Sequence, residues 1–276
     1  MTTINGIKNR VAPRTISSVN GAKYISHNGI RQLDYDKWKM VWNGNHFAPP
    51  DLSSKLYLPG VPGAGATIFD FGGSTNGTVV GATWMQLPTG LLYLSCDGTD
   101  DYVTISNPAV TTDEIGTISM WIKKDGAGTR LGFFCYVKES SASVDSMRFY
   151  INADEGVMYD VYDGGVYTME LSTADSVITV GQWHKVTLTS NGSTIVCYVD
   201  GVAKALAEDT GTNTGIWFAD MQGEPADTIV LGGYYRLDTL VEDFAGDIAL
   251  FEVTSATRSA DNEARLFAAE RHLFGV

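Results

Sequence analysis

Short apolar runs separated by Asp-Gly, Asn-Gly and other glycine-rich breaks recur from residue 91 to residue 253, and this rhythm narrows the possible folds sharply. The runs cover 91–96, 102–105, 117–122, 131–137, 147–151, 157–162, 166–171, 185–189, 194–200, 228–231 and 248–253. Strands this short favour antiparallel pairing, because a tight turn joins antiparallel neighbours whereas a parallel crossover needs roughly a dozen residues or more. An all-β, antiparallel two-sheet sandwich is therefore expected rather than βαβ units. Thirty glycines against eight prolines, with 13 Tyr, 11 Phe and 6 Trp, suit such a fold, and 276 residues leave room for one large sandwich. In 117–123, Ile118, Met120 and Ile122 alternate onto one face. One helix is predicted over 260–273, with Ser259 as its cap, Asp261 and Glu263 in the first turn, Arg271 and His272 in the last, and Gly275 as its stop. Leu266, Phe267 and Leu273 are its expected buried side.

Charge divides the chain in two. The net charge is −13, yet residues 1–50 carry seven bases and two acids, and the remainder carries −18 against the arm's +5. Three Asn-Gly steps (Asn5-Gly6, Asn20-Gly21, Asn28-Gly29) are each followed by an aliphatic and a basic residue. Asn-Gly tolerates positive φ at both central turn positions, so each is a candidate hairpin tip. The flanks are too short and polar to form a core, so the segment must dock on something. Residues 1–52 thus read as an extended basic anchoring arm, with Arg10, Arg14, Lys23, Arg31, Trp38 and Trp42 as its candidate contacts, and 53–276 as the folded domain. An acidic body argues against nucleic acid as a partner. No apolar leader opens the sequence and no run is long enough to span a membrane, which places synthesis in a cytoplasm. Cys96, Cys135 and Cys197 are odd in number and lie in apolar runs, as buried free thiols do.

Several stretches resemble the laminin-G-like, concanavalin A-like jelly-roll superfamily, in the subgroup found across bacterial and phage proteins. Residues 69–84, with Asp70, Gly72, Gly73, Asn76, Gly77, Gly81 and Trp84, are similar to its opening segment. Cys96-Asp97-Gly98-Thr99-Asp100-Asp101-Tyr102-Val103 is similar to its F-D-G-x-D-D-Y-V turn, with cysteine in the aromatic position. Ile118-Ser119-Met120-Trp121-Ile122-Lys123, Trp183-His184-Lys185-Val186 and Tyr198-Val199-Asp200-Gly201 follow in the family's order. Phe244-Ala245-Gly246-Asp247-Ile248 resembles its closing strand, where the usual aspartate position is occupied by Ala249. The resemblance implies a jelly roll with Trp121 and Trp183 buried between the sheets, and a structural role for His184.

Many members of that superfamily bind calcium, which takes carboxylate and carbonyl oxygens from loops. Asp97, Asp100 and Asp101, with Asp247 from the terminal strand, form the candidate Ca²⁺ set, whereas Asp238, Glu242 and Asp243 read as a solvated loop. Glycan recognition needs exposed aromatic rings beside polar groups. Tyr162, Tyr167, Trp217, Tyr234 and Tyr235 are the candidates, with Tyr159 a further ring near the Asp163-Gly164-Gly165 turn. Paired acids in a Glu-x-Asp-x-x-Glu run, as glucanases of this type carry, are missing, as are nucleophile-elbow, zinc-protease and phosphate-loop motifs. The expected function is non-catalytic: a multi-copy virion structural protein of capsid or tail, made in the host cytoplasm. Its arm would join other virion proteins, and its jelly roll would meet cell-surface glycan. A free carbohydrate-binding module or adhesin, and a glycan-active enzyme, are the alternatives.

Overall fold

The structure, a computed structural model, describes residues 3–4, 7–8, 18–19, 22–23, 53–60, 63–73, 75–126, 130–139, 144–221, 227–236 and 239–276. Side chains before residue 53, and those of residues 139, 144, 235, 236, 239 and 240, lie outside that description. Two hairpins come first, β1 (Thr3–Ile4) with β2 (Ile7–Lys8) and β3 (Ser18–Val19) with β4 (Ala22–Lys23). Ile4 faces Ile7 and Val19 faces Ala22, the registers expected around the first two Asn-Gly steps. The third step, with Arg10, Arg14, Arg31, Trp38 and Trp42, lies outside the described residues, as does the side chain of Lys23.

The body starts with β5 (Ser54–Leu58), β6 (Thr67–Ile68), β7 (Gly77–Val80), β8 (Thr83–Gln86), β9 (Leu92–Asp97) and β10 (Tyr102–Ser106). Long central strands follow: β11 (Gly116–Lys124), β12 (Leu131–Glu139), β13 (Val144–Ile151), β14 (Val157–Asp163), β15 (Val166–Ser172) and β16 (Trp183–Ser190). Then come β17 (Ile195–Val199), β18 (Val202–Lys204), β19 (Ala207–Thr210), β20 (Asp227–Leu231), β21 (Tyr234–Arg236), β22 (Thr239–Val241) and β23 (Ala245–Thr254). The chain closes on helix α1 (Ala260–Phe274). A nine-stranded sheet runs β19-β15-β14-β13-β12-β20-β10-β7-β6. An eight-stranded sheet runs β18-β17-β16-β11-β23-β9-β8, with β5 added on β23. All pairings within both sheets are antiparallel. All eleven expected strands are present. The additional ones are short, such as Ala207-Glu208-Asp209-Thr210, an exposed edge strand without apolar alternation.

The core lies between the sheets. Ile118, Met120 and Ile122 do share its face, meeting Phe133, Phe149 and Ile229 from the opposite sheet. Trp121 and Trp183 are not there. Their odd positions point them to the outer face of the eight-stranded sheet, into a second cluster with Leu91, Leu250, Leu273 and Phe274. The Trp121 ring stacks on Phe274 at 4.0 Å between centroids, and Phe267 flanks it at 5.7 Å. Helix α1 therefore closes this face, capped by Ser259 and ended by Gly275 in the left-handed region as expected. Its most buried residues include two acids, Glu263 and Glu270, while Leu266 and Phe267 are half-buried. Those acids are buried because the sheet supplies partners. The Glu270 carboxylate accepts from Trp121 Nε1 at 2.5 Å and from Lys185 Nζ at 2.9 Å. Glu263 accepts from the Thr187 hydroxyl, and Arg258 pairs with Glu252 at 2.5 Å. The helix comes this close because Asp200 and Gly201 (φ 54° and 73°) form a two-residue turn with both residues left-handed. A Cβ on Gly201 would lie 2.9 Å from Ala264 Cα.

His184 is structural, as expected: its Nε2 accepts from the Thr179 amide at 2.9 Å and its Nδ1 donates to Asp200 at 2.7 Å. The three cysteines are free and buried. Burial pushes the Cys96 and Cys197 thiols up to about 12. Among the described residues no helix is long and apolar enough to cross a membrane. Removing Glu270 strands a buried ammonium and an indole N–H. Glu270→Ala is thus expected to cost about 3–5 kcal/mol in urea unfolding, and Glu270→Leu paired with Lys185→Met to recover most of that loss.

Candidate functional site

Helix α1 packs on the outer face of the eight-stranded sheet, and on the outer face of the nine-stranded sheet Tyr167 is exposed. Alternation turns Met147, Phe149, Tyr159 and Val161 into the core and Arg148, Tyr150, Asp160 and Tyr162 outward. On β15 the alternation alone would send Tyr167 inward with Met169. A bulge between Val161 and Tyr162 shifts the register so that Tyr167 lies opposite Tyr162. This is a common use of a bulge, re-aiming one side chain. The two rings meet edge to face, with centroids 5.1 Å apart, and Tyr167 is 41% exposed.

Beneath them lies a polar layer built on two arginines and a shared carboxylate. Arg148 donates Nε and one terminal nitrogen to the two Asp160 oxygens at 2.6 and 2.7 Å. Its guanidinium sits 5.0 Å from the Tyr167 centroid and 4.8 Å from that of Tyr234. Arg130 reaches the same carboxylate at 3.4 Å, pairs with Glu242 at 2.9 Å, and lies 3.9 Å over the Tyr150 ring. Burial pushes the Asp160 carboxyl up to about 6, against the pull of both arginines. The hairpin β21–β22 walls the patch, seating Tyr234 with Cys135, Val137 and Val230. At one end of β13, on the side of Met147, Asp145 accepts from the Gly164 amide at 3.0 Å, and burial, with the Asp145 charge, raises the Asp163 carboxyl.

Not every expected glycan residue is here. Tyr162 and Tyr167 are together, Tyr167 exposed and Tyr162 half-buried, and Tyr234 contributes a buried wall. Trp217 is fully buried between the sheets, edge to face with Phe218, so it offers no ring to solvent. Tyr159 is likewise buried, with its hydroxyl donating to the Ile216 carbonyl at 2.9 Å. The side chain of Tyr235 lies outside the described residues. Sequence reading missed Arg148 and Asp160, although their spacing, outward on adjacent strands, was a usable signal.

The acidic turn after β9 does converge. One carboxylate oxygen from each of Asp97, Asp100 and Asp101 lies within 4.8 Å of the others. Asp101 is buried and accepts from the Asp97 amide at 2.9 Å; Asp97 accepts from the Thr99 amide at 2.8 Å. Gly81 (φ 71°) makes room, since a Cβ there would fall 2.0 Å from Asp101 Oδ1. Asp247 does not belong to this set. It is buried against Lys123 on the neighbouring strand, which takes its charge. Nor do the expected loop acids all face solvent: Glu242 holds Arg130, and Asp243 is half-buried within reach of the Asp97 and Asp100 charges. The buried Oδ1 of Asp243 finds no hydrogen-bond partner among the described residues, and Asp238 lies outside them. Hard oxygen donors gathered on a turn fit a Ca²⁺-type cation that Asp97, Asp100 and Asp101 could hold.

Against known proteins, the profile of the concanavalin A-like lectin/glucanases superfamily, in its laminin G form, matches residues 97–262. The chain belongs to this superfamily. No curated protein matches it in sequence. Among solved structures, the receptor-binding domain of a botulinum neurotoxin C/D mosaic serotype superposes with a TM-score of 0.57 at 16% identity, over 79% of this chain and 51% of that one. Trypanosoma rangeli sialidase, solved with sialic acid, gives 0.60 at 14% identity over 92% of this chain and 41% of the enzyme. A Ruminococcus gnavus IT-sialidase CBM40, bound to α2,3 sialyllactose, gives 0.50 at 19% identity over 57% and 84%. This chain thus spans about half of the neurotoxin domain and less of the sialidase. At these identities the likeness is one of fold.

Burial and the neighbouring charges of Asp97 and Asp100 raise the Asp101 carboxyl. Its contribution to stability is then full below the unfolded value of about 3.9 and is lost as pH rises through the higher folded value. Asp101→Asn keeps the acceptor for the Asp97 amide. In chelator it should show a higher urea midpoint than the parent at pH 7, with the gap closing at pH 3.

Proposed function

We propose that this protein is a non-catalytic glycan-binding jelly roll, displayed in many copies on a virion and held there by its basic arm. The observation that carries the binding reading is the Tyr162–Tyr167 pair, aimed outward by a bulge above an ordered polar layer, on the sheet face that α1 leaves open. Aromatic rings beside fixed polar groups suit the apolar faces and hydroxyls of sugars. The sialyllactose-bound CBM40 among the fold neighbours is consistent with glycan as a ligand class for this architecture. In support of a non-catalytic role, four of the buried acids, Asp160, Asp247, Glu252 and Glu270, are each neutralised by a partner cation. A retaining or inverting hydrolase needs two carboxyls free to flank a scissile bond. Ca²⁺ at the 97–101 turn serves in this reading as a structural ion. In a glycan array with full-length protein, Tyr162→Ala and Tyr167→Ala should each abolish binding at concentrations that saturate the parent; retention by both variants would sink this site. CaCl₂ should raise the melting temperature over chelator by a few degrees (about 2–4 °C per kcal/mol) and lose that effect in Asp101→Asn.

The virion placement is supported by the opposition of a +5 arm to a −18 body and by two-residue hairpin strands that need an external surface. The arm would meet acidic surfaces of capsid or tail proteins. Deleting residues 1–50 should leave a folded body that no longer joins its particle; incorporation at full occupancy would end the anchoring idea.

A further inference from the structure

We infer that the open face selects uncharged sugars and rejects carboxylated ones, an inference that rests on the glycan-binding reading above. The argument is one of local charge. Among the described side chains, the cations of this patch are Arg130 and Arg148. Arg148 spends two donors on Asp160 and is held between the Tyr167 and Tyr234 rings, with its side chain 4% exposed. Arg130 is divided between Glu242 and Asp160. Among the described side chains, two positive charges thus meet two negative ones, and neither arginine is left over for a ligand anion.

Beside this neutral centre, among the described side chains, a further acid faces outward. Glu170, outward on β15 opposite Asp160, accepts from the Thr210 hydroxyl at 2.5 Å. A sugar carboxylate placed on Tyr167 would meet Glu170 without a described counter-charge, and capturing Arg148 would strand a buried Asp160. Hydroxyl groups face no such cost. They can donate to Glu170 while the ring lies on tyrosine. Specificity here comes from the repulsive element as much as the attractive one.

The test uses full-length protein on an array of neutral hexose and N-acetylhexosamine oligosaccharides printed beside their sialylated and uronate counterparts. The expected result is retention on neutral spots, with charged counterparts weaker by at least about tenfold. Glu242→Gln, which frees Arg130 at a half-exposed position, should narrow that ratio several-fold. Equal or preferential binding of charged sugars by the parent, or an unchanged ratio in the variant, overturns the charge argument while leaving glycan binding in place. Binding to neither set overturns both.

Discussion

Burial of β11 on both of its faces is the constraint from which the rest of this molecule follows. One side of the strand, Ile118, Met120 and Ile122, needs an opposing sheet; the other, with Ser119 and Trp121, needs a lid. A single chain satisfies both demands only if a second sheet covers the inside and another element covers the outside. Helix α1 is that element, and it accepts the polar groups of the sheet surface through its own buried acids. The buried ion pairs of Lys185 with Glu270 and Arg258 with Glu252 therefore specify where the helix sits rather than supply most of the energy, which comes from the stacked aromatic rings.

Closing one outer face leaves the other for function. The nine-stranded sheet carries its own partial cover, the β21–β22 hairpin over Cys135, Val137 and Val230. Beside that cover the sheet surface is polar and aromatic. Arg148 and Asp160 sit directly opposite on β13 and β14, so the pleat presents their side chains to each other. The bulge on β15 then adds Tyr167 to the same surface. Position along the strands and one irregularity in register together assemble the site.

The fold was legible because its signals are local. Alternation in β11, the two-residue Asp200-Gly201 turn, and the Ser259 and Gly275 caps each depend on a few adjacent residues. The edge strands were illegible for the same reason, since a strand such as Ala207–Thr210 has little apolar pattern and is held by its neighbour. At the sites the outcome was mixed. Asp97, Asp100 and Asp101 lie within five residues, so their convergence needed only a tight turn. The assignment of Asp247 failed, since an aspartate near in space to that turn is still lost to it when a lysine on the next strand lies closer.

By itself, then, the sequence determined an antiparallel sandwich, its helix, the thiols that stay reduced and buried, and an acidic turn, all of which follow from periodicity and short-range backbone chemistry. Only the tertiary structure decided which face each aromatic ring occupies. Trp121 and Trp183 went outward beneath a helix, Trp217 inward, and Tyr167 outward across a bulge. The physical reason is that a ring buries equally well on either side of a sheet. Which side is chosen depends on strand parity, bulges and the cover available, and these are settled by residues far apart in the chain.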